Sequence, residues 1–248
     1  MLIWLNILYK SMDNSHLLSA EGNLMLPKYH KDFYNPLGIF SYKDIPGWMN
    51  DSEEIYPRMI KEAKDGDKFV EIGVLLGQSS AFMGELIKDS GKDISFDAVD
   101  IFWPIPYLIE FYQVANHPSS FYRYIKDLEK YFGKHCSVDI QNIIKHGYIQ
   151  LGVQDYINLV TIDEKYAHLI YEDESLQFVW IDGDHSGHTV YNDLMGFWDK
   201  IKPGGYIGGD DIVYPDVNNC FNRFIVEKGI SKKNYEITYN GFLIHKPL

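Results

Sequence analysis

Cysteine is scarce: the chain has two, Cys136 and Cys220, and no C-x-x-C pair. That excludes a disulfide-dense scaffold and a thiolate zinc site, and it suits reduced thiols in a cytosolic protein. Positive charge is also in short supply. Against 35 Asp+Glu stand 23 Lys+Arg, a formal net charge of −12. A broad nucleic-acid footprint needs the opposite sign, so nucleic acid is not an expected partner. Long hydrophobic runs are missing as well. The opening MLIWLNILYK is too short to cross a bilayer, and it has neither a basic leading region nor a small-residue cleavage site. A docking segment or irregular arm is expected there, with no membrane partner. No internal repeat or low-complexity tract is present.

Apolar surface, by contrast, is plentiful. With 46% hydrophobic and 15% aromatic residues over 248 positions, there is core enough for one large α/β domain or two small ones. Residues 1–54 show little periodicity; PKYHKDFYNPLG reads as loop and DIPGW as a turn. They are expected to form an irregular or helical arm, and residues 55–248 the ordered domain. Ile55, Met59, Ile60 and Ala63 sit at helical spacing, with Pro57 suited to a first turn.

From Lys68 the pattern alternates. KFVEIG, DISFDAVD, GYIQLGV, SLQFVWID and YIGGDD read as five strands. Between them lie SAFMGELIKDSG, a helix closed by Gly91, a short helix in EKYAHLIY, and a helical face on Val190, Leu194, Phe197, Trp198 and Ile201. A last helix covers about 216–228, and YEITYN with GFLIHK forms a closing antiparallel pair around Asn240-Gly241. The aromatic-rich stretch 104–146 is longer than a crossover needs and is expected to be a helical insertion that shapes a pocket. Its Tyr107, Phe111, Tyr112, Phe121 and Tyr122 are candidate pocket residues, although aromatics at such spacing more often form core.

Alternating strands and helices predict a doubly wound, mostly parallel, Rossmann-like sheet of seven strands with helices on both faces. Ligands in such sheets bind at the carboxyl ends of the strands. Asp100, Asp182, Asp210 and Asp211 all fall at expected strand ends.

The loop EIGVLLGQS places Glu71, Gly73 and Gly77 between a strand and a helix. Glycines there let a backbone approach a ligand, and the helix offers free N–H groups. The E-x-G-x-x-x-G spacing is not the dinucleotide G-x-G-x-x-G, and a single glycine turn of this kind also serves purely structural ends. Asp100, ending the next strand, has the position from which a carboxylate accepts both hydroxyls of a ribose; alone it would read as a turn cap.

Together, Glu71-Ile-Gly73, Gly77, Asp100, FVWIDGDHS and IKPGGYIGGDD resemble class I S-adenosylmethionine-dependent methyltransferases. The resemblance is nearest to the metal-dependent macrocin- and mycinamicin-type sugar O-methyltransferases, with catechol O-methyltransferase more distant, and it covers about 55–248. It implies that Gly73, Gly77 and Ser79 meet the methionine end of the cofactor with Glu71 beneath. Asp100 would hold the ribose, and Gln154 or Asp155, after the third expected strand, would lie near the adenine. It further implies that Asp182, itself beside the cofactor, binds a divalent cation with Asp210 and Asp211, and that His185 is the catalytic base.

Elementary chemistry agrees with that set. Three converging carboxylates repel one another unless a cation binds, and hard oxygen ligands favour Mg²⁺, with Mn²⁺ or Ca²⁺ as alternatives. An imidazole titrating near neutrality suits a general base, although His185 without these neighbours would be an ordinary turn histidine. Asp184 is open between a supporting role and replacing Asp182 as ligand. The expectation is therefore a cytoplasmic, metal-assisted O-methyltransferase acting on a small hydroxylated acceptor, sugar-like or polyol. A cephalosporin-hydroxylase-like protein or a non-catalytic S-adenosylmethionine-binding protein remain alternatives. An NAD-dependent dehydrogenase is disfavoured by the glycine spacing and the closing antiparallel pair. Homo-oligomerisation is left open.

Overall fold

The protein's structure, a computed structural model, describes residues 38–103, 140–186 and 188–248. Its compact unit runs over Leu37–Leu248. Helix α1 (Ser52–Glu62) leads into β1 (Asp67–Ile72), α2 (Gln78–Ser90) and β2 (Ile94–Asp100). Helix α3 (Ile140–Leu151), β3 (Asn158–Thr161), the one-turn α4 (Glu164–Ala167) and β4 (Leu176–Ile181) follow. The chain closes with α5 (Thr189–Trp198), β5 (Ile201–Gly209), α6 (Pro215–Glu227), β6 (Tyr235–Ile237) and β7 (Phe242–His245).

The seven strands form one sheet in the order β3-β2-β1-β4-β5-β7-β6. Strands β1 to β5 are parallel, and β7 runs antiparallel to both β5 and β6. The central strands are apolar on both faces because both faces are covered. Val70, Ile72, Val179 and Ile181 pack with Leu194 and Phe197 of α5 and Phe221 and Phe224 of α6. The alternate residues Phe69, Phe178 and Trp180 project the other way, where Phe178 and Trp180 meet Tyr56 of α1 edge-on. Each such side chain contributes roughly 1.5–3 kcal/mol by leaving water.

The third strand is a correction. GYIQLGV, 147–153, is not a strand: it holds the end of α3 and the turn after it, and β3 follows at Asn158–Thr161. Buried Ile140, Ile143, Ile144, Tyr148 and Leu151 recur at helical spacing over a window longer than the short apolar run. The real β3 is an edge strand with no buried residue, so it carries little hydrophobic signal. Helix α1 begins at Ser52, which places Pro57 inside it rather than in its first turn. The missing N–H of Pro57 leaves the Glu53 carbonyl without its usual helical donor. The helix spans position 54/55, and Asn50 and Asp51 just before it reach the site described below.

The pocket aromatics Tyr107, Phe111, Tyr112, Phe121 and Tyr122, and Cys136, lie outside the described residues. Cys220 is buried on α6. Among the described residues no helix is long and apolar enough to cross a membrane.

Candidate functional site

Between β1 and β4 the strand order reverses, and a cavity of about 1340 Å³ opens at the carboxyl ends of the strands. That exceeds the roughly 300–1,000 Å³ of an ordinary small-molecule pocket, so two molecules have room side by side.

The loop after β1 forms one wall. Gly73 has φ +91°, and a Cβ there would stand 2.0 Å from the Asp182 carbonyl oxygen. Gly77 has φ +85°, and its Cβ would stand 2.5 Å from the Tyr148 hydroxyl oxygen. Both positions therefore require glycine for backbone conformation and for space. Asp100 ties this loop to β2: its Oδ2 accepts from the N–H groups of Val74 (2.8 Å) and Leu75 (3.1 Å), and its Oδ1 from Phe102 (2.7 Å). Gly73, Ser79 and Asp100 line the cavity. Glu71 is fully buried beneath them, where its carboxylate accepts from the Tyr56 hydroxyl at 2.8 Å and from the Ser80 hydroxyl. Burial pushes the Glu71 carboxyl above its ordinary value, against the hydrogen bonds from Ser79, Ser80 and Tyr56.

The facing wall comes from the ends of β4 and β5. The Asp182 N–H donates to Ile72 O at 2.8 Å, and the Asp210 N–H to Ile181 O at 3.1 Å, so the sheet continues far enough to fix both residues side by side. His185 lies between two carboxylates: its Nδ1 is 2.8 Å from Asp211 Oδ2, and its Nε2 3.7 Å from Asp182 Oδ1. The Nδ1 contact assigns the proton to that nitrogen and leaves the Nε2 lone pair without a hydrogen-bond partner among the described residues. Asp210, 4% exposed, receives the side-chain amides of Asn50 on Oδ2 and Asn240 on Oδ1, both at 2.9 Å. Neither asparagine stands out in the sequence; Asn240 shows only as half of an Asn-Gly turn signal.

The electrostatics split the acidic residues. Burial raises the Asp182 carboxyl well above its ordinary value, and the charges of Asp210, Glu71 and Asp211 add to the rise. Burial also raises Asp210, opposed by the Asn50 hydrogen bond. Asp211 goes the other way: burial pushes it up, but hydrogen bonds from His185 and Asn240 outweigh that and hold it below the usual range. Oppositely shifted neighbours of this kind mark sites of acid–base chemistry. Among the described residues, no three His, Cys, Asp or Glu side chains are grouped to hold a metal ion.

Asp184 faces its own loop. Its carboxylate accepts from Ser186 N (2.9 Å), Ser186 Oγ (2.7 Å) and Thr189 Oγ1 (3.3 Å), which organises the entry to α5. Gln154 and Asp155 lie apart from the cavity. They form a short 3₁₀ turn before β3, not a loop after it, because the strand itself lies further along the chain than GYIQLGV. The residues that do follow β3, Asp163 and Glu164, line the cavity, as does Asp193 of α5. The run INLVTID, rich in β-branched residues, is the sequence signal that points to them.

Four non-glycine residues with positive φ also line this cavity: Asn50, Leu75, Phe102 and Asp211. Such conformations cost about 1–3 kcal/mol each and persist where surrounding structure enforces them, commonly at functional sites.

Residues 70–212 match the sequence profile of a family described as a methyltransferase domain. No curated protein sequence matches the chain. Among solved structures it is similar to the O-methyltransferase NovP, with TM-score 0.56 and 16% identity over 79% of each chain. It is also similar to cofactor-bound Rv0187 from MTB, with TM-score 0.52 and 11% identity over 82% of this chain and 83% of that one. A SAM-dependent O-methyltransferase from Thermotoga maritima gives TM-score 0.50 and 10% identity over 82% of this chain and 67% of its own. At these identities the likeness is one of fold. The glycine loop, Asp100 and the acidic strand ends all lie inside the matched stretch, and the chain belongs to the methyltransferase-domain family, with a Rossmann-like methyltransferase fold.

Proposed function

We propose that the protein transfers a methyl group from S-adenosylmethionine to a hydroxyl of a small acceptor, sugar-like or polyol, with His185 as general base. One observation carries this reading. His185 Nδ1 is held by Asp211, and His185 lines the same cavity as Gly73 and Asp100, its buried Nε2 without a hydrogen-bond partner among the described residues. Asp211 fixes the tautomer and orientation of the imidazole and stabilises the cation formed when Nε2 takes the acceptor's hydroxyl proton.

The cofactor supplies a methyl carbon on a positively charged sulfur, so the leaving group is a neutral thioether. Gly73 and Ser79, which line the cavity, would give its methionine end a close backbone approach, while Gly77, packed against Tyr148, shapes the loop from behind. Asp100 would hold its ribose, with Glu71 beneath the loop and Asp182 beside it. Asp163 and Glu164, which line the cavity where Gln154 and Asp155 do not, would be the neighbours of its adenine. The cavity walls position the acceptor oxygen, which forms its bond to the methyl carbon as the carbon–sulfur bond breaks and the electron pair stays on sulfur. The small hydroxylated acceptor needs no nucleic acid or membrane surface, and a cytoplasmic location suits the reduced thiols.

A divalent cation, Mg²⁺ first, would be held by Asp182, Asp210 and Asp211. It would neutralise their charge and acidify an acceptor hydroxyl. Supporting this are the hard-oxygen donor set and the upward push that Asp182 and Asp210 receive from burial and neighbouring charge. Each carboxylate oxygen of Asp210 and Asp211 has a second lone pair, so the cation would bind beside the amide and imidazole donors and not in their place.

Binding and chemistry separate in the test. S-Adenosylhomocysteine should raise the melting temperature of the native protein, as any ligand selective for the folded state does. His185→Ala should keep that stabilisation while turnover against a panel of hydroxylated acceptors falls by about 10²–10⁴-fold. No stabilisation at millimolar ligand removes the cofactor assignment, and undiminished turnover removes His185 as base. EDTA treatment without loss of rate would remove the cation.

A further inference from the structure

The acidic pair after β5 is held by uncharged amides from two chain segments remote in sequence. Asn240, 9% exposed in the turn between β6 and β7, donates from one side-chain nitrogen to Asp210 Oδ1 at 2.9 Å and Asp211 Oδ1 at 2.8 Å. Asn50, just before α1, donates to Asp210 Oδ2 at 2.9 Å. With His185 Nδ1 on Asp211 Oδ2, each of the four carboxylate oxygens of the pair faces one nitrogen donor. The turn itself is pinned in place. Asn240 donates its backbone N–H to Asp51 Oδ2 at 2.6 Å, and its carbonyl accepts from Ile212 N at 2.7 Å. Asp51 Oδ2 also accepts from the Thr238 hydroxyl at 2.7 Å.

From this geometry we infer that Asn240 is a positioning residue that acts through Asp211 to set the orientation of His185, an inference that rests on the reading of His185 as the base. Asp211 has φ +61°, a left-handed conformation that is uncommon outside glycine, although aspartate adopts it more readily than most residues. The Asn240 amide on its Oδ1 and the Ile212–Asn240 backbone bond beside it stabilise that conformation, which aims Oδ2 at His185. An amide suits this position because it orients two carboxylates without cancelling their charge, as a lysine or arginine would. Asn50 contacts only Asp210 of the pair and serves as the internal comparison. The turn at β6–β7 is thereby part of the site, although it lies beyond the stretch that matches the family.

The test reads the His185–Asp211 contact and not turnover. In full-length protein labelled with ¹⁵N-histidine, the Nδ1 proton of His185 is identified as the imidazole resonance lost in His185→Gln. Asn240→Ala, and the isosteric Asn240→Asp, should speed exchange of that proton with water by about tenfold, the factor that accompanies loss of one well-made hydrogen bond. Asn50→Ala should leave it unchanged. S-Adenosylhomocysteine stabilisation should persist in whichever of these variants melts cooperatively. Unchanged exchange in a folded Asn240 variant, an equal effect from Asn50→Ala, or the absence of a protected His185 resonance in the unaltered protein would each overturn the inference. A protein that passes this test yet transfers no methyl group would keep the positioning and lose the proposed reaction.

Discussion

Replacing Asp193 with asparagine should stabilise the protein, and the gain should grow as the pH rises. Asp193 lies on α5 at 2% exposure, and its Oδ2 has no hydrogen-bond partner among the described residues. Burial, followed by the charges of Glu164, Asp184 and Asp163, pushes its carboxyl from 3.8 up to about 8. The native state therefore keeps a proton that the unfolded chain releases near its ordinary value. That contribution to stability is fully present below 3.8 and is lost as the pH rises toward about 8. The slope has a ceiling of about 1.4 kcal/mol per pH unit, because one proton separates the two states across this window. Asparagine keeps the shape and has no proton to lose. The variant-minus-wild-type difference should be near zero at about pH 4 and reach several kcal/mol by about pH 8. In a chain of this size that is about 2–4 °C of melting temperature per kcal/mol. Thermal or urea unfolding of both proteins in unit steps across this range gives the difference curve directly. Parallel curves, with a constant offset at every pH, would show that Asp193 titrates normally and that the burial argument is wrong.

Gly73→Ala should destabilise the fold by about 2–5 kcal/mol, from a left-handed φ combined with overpacking against the Asp182 backbone, as measured by urea denaturation; a loss under about 0.5 kcal/mol would mean the loop relaxes freely. Gln154→Ala and Asp155→Ala should leave S-adenosylhomocysteine affinity within about twofold, whereas Asp100→Ala should weaken it by about tenfold or more through loss of a charge-assisted contact and of the loop's anchor. Calorimetry separates the two, and comparable losses would return the first pair to the cofactor site. Asp184, although it lines the cavity, spends its carboxylate on Ser186 and Thr189, so Asp184→Ala should cost about 1 kcal/mol, typical of a lost hydrogen bond, and leave that affinity unchanged. A normal melting temperature with lost binding would make Asp184 a ligand contact instead.

Much of the architecture is legible in the sequence because apolar runs and turn residues are local signals. The buried strands around Val70, Val99, Val179 and Ile207 announce themselves, and Gly91 and Asn240-Gly241 mark real boundaries. The parallel order follows from alternation, and it places Asp100, Asp182, Asp210 and Asp211 at one edge. The edge strand β3 leaves only a weak mark, the β-branched run INLVTID, because its side chains are at most half-buried, and reading GYIQLGV in its place carries Gln154 and Asp155 to the wrong end of the sheet.

By itself, then, the sequence determined which residues end the buried strands β1, β2, β4 and β5, since that depends on neighbours a few positions apart; the need for Gly73 and Gly77 came from what their missing Cβ atoms would meet. Only the tertiary structure decided what each carboxylate touches. Asp184 turned to its own loop, Asp211 to His185, and Asp210 to Asn50 and Asn240, from 160 and 30 residues away. Asp184's partners are local, but His185, Asn50 and Asn240 meet the acidic pair because a doubly wound sheet brings distant segments to one edge, and no local pattern encodes such a meeting.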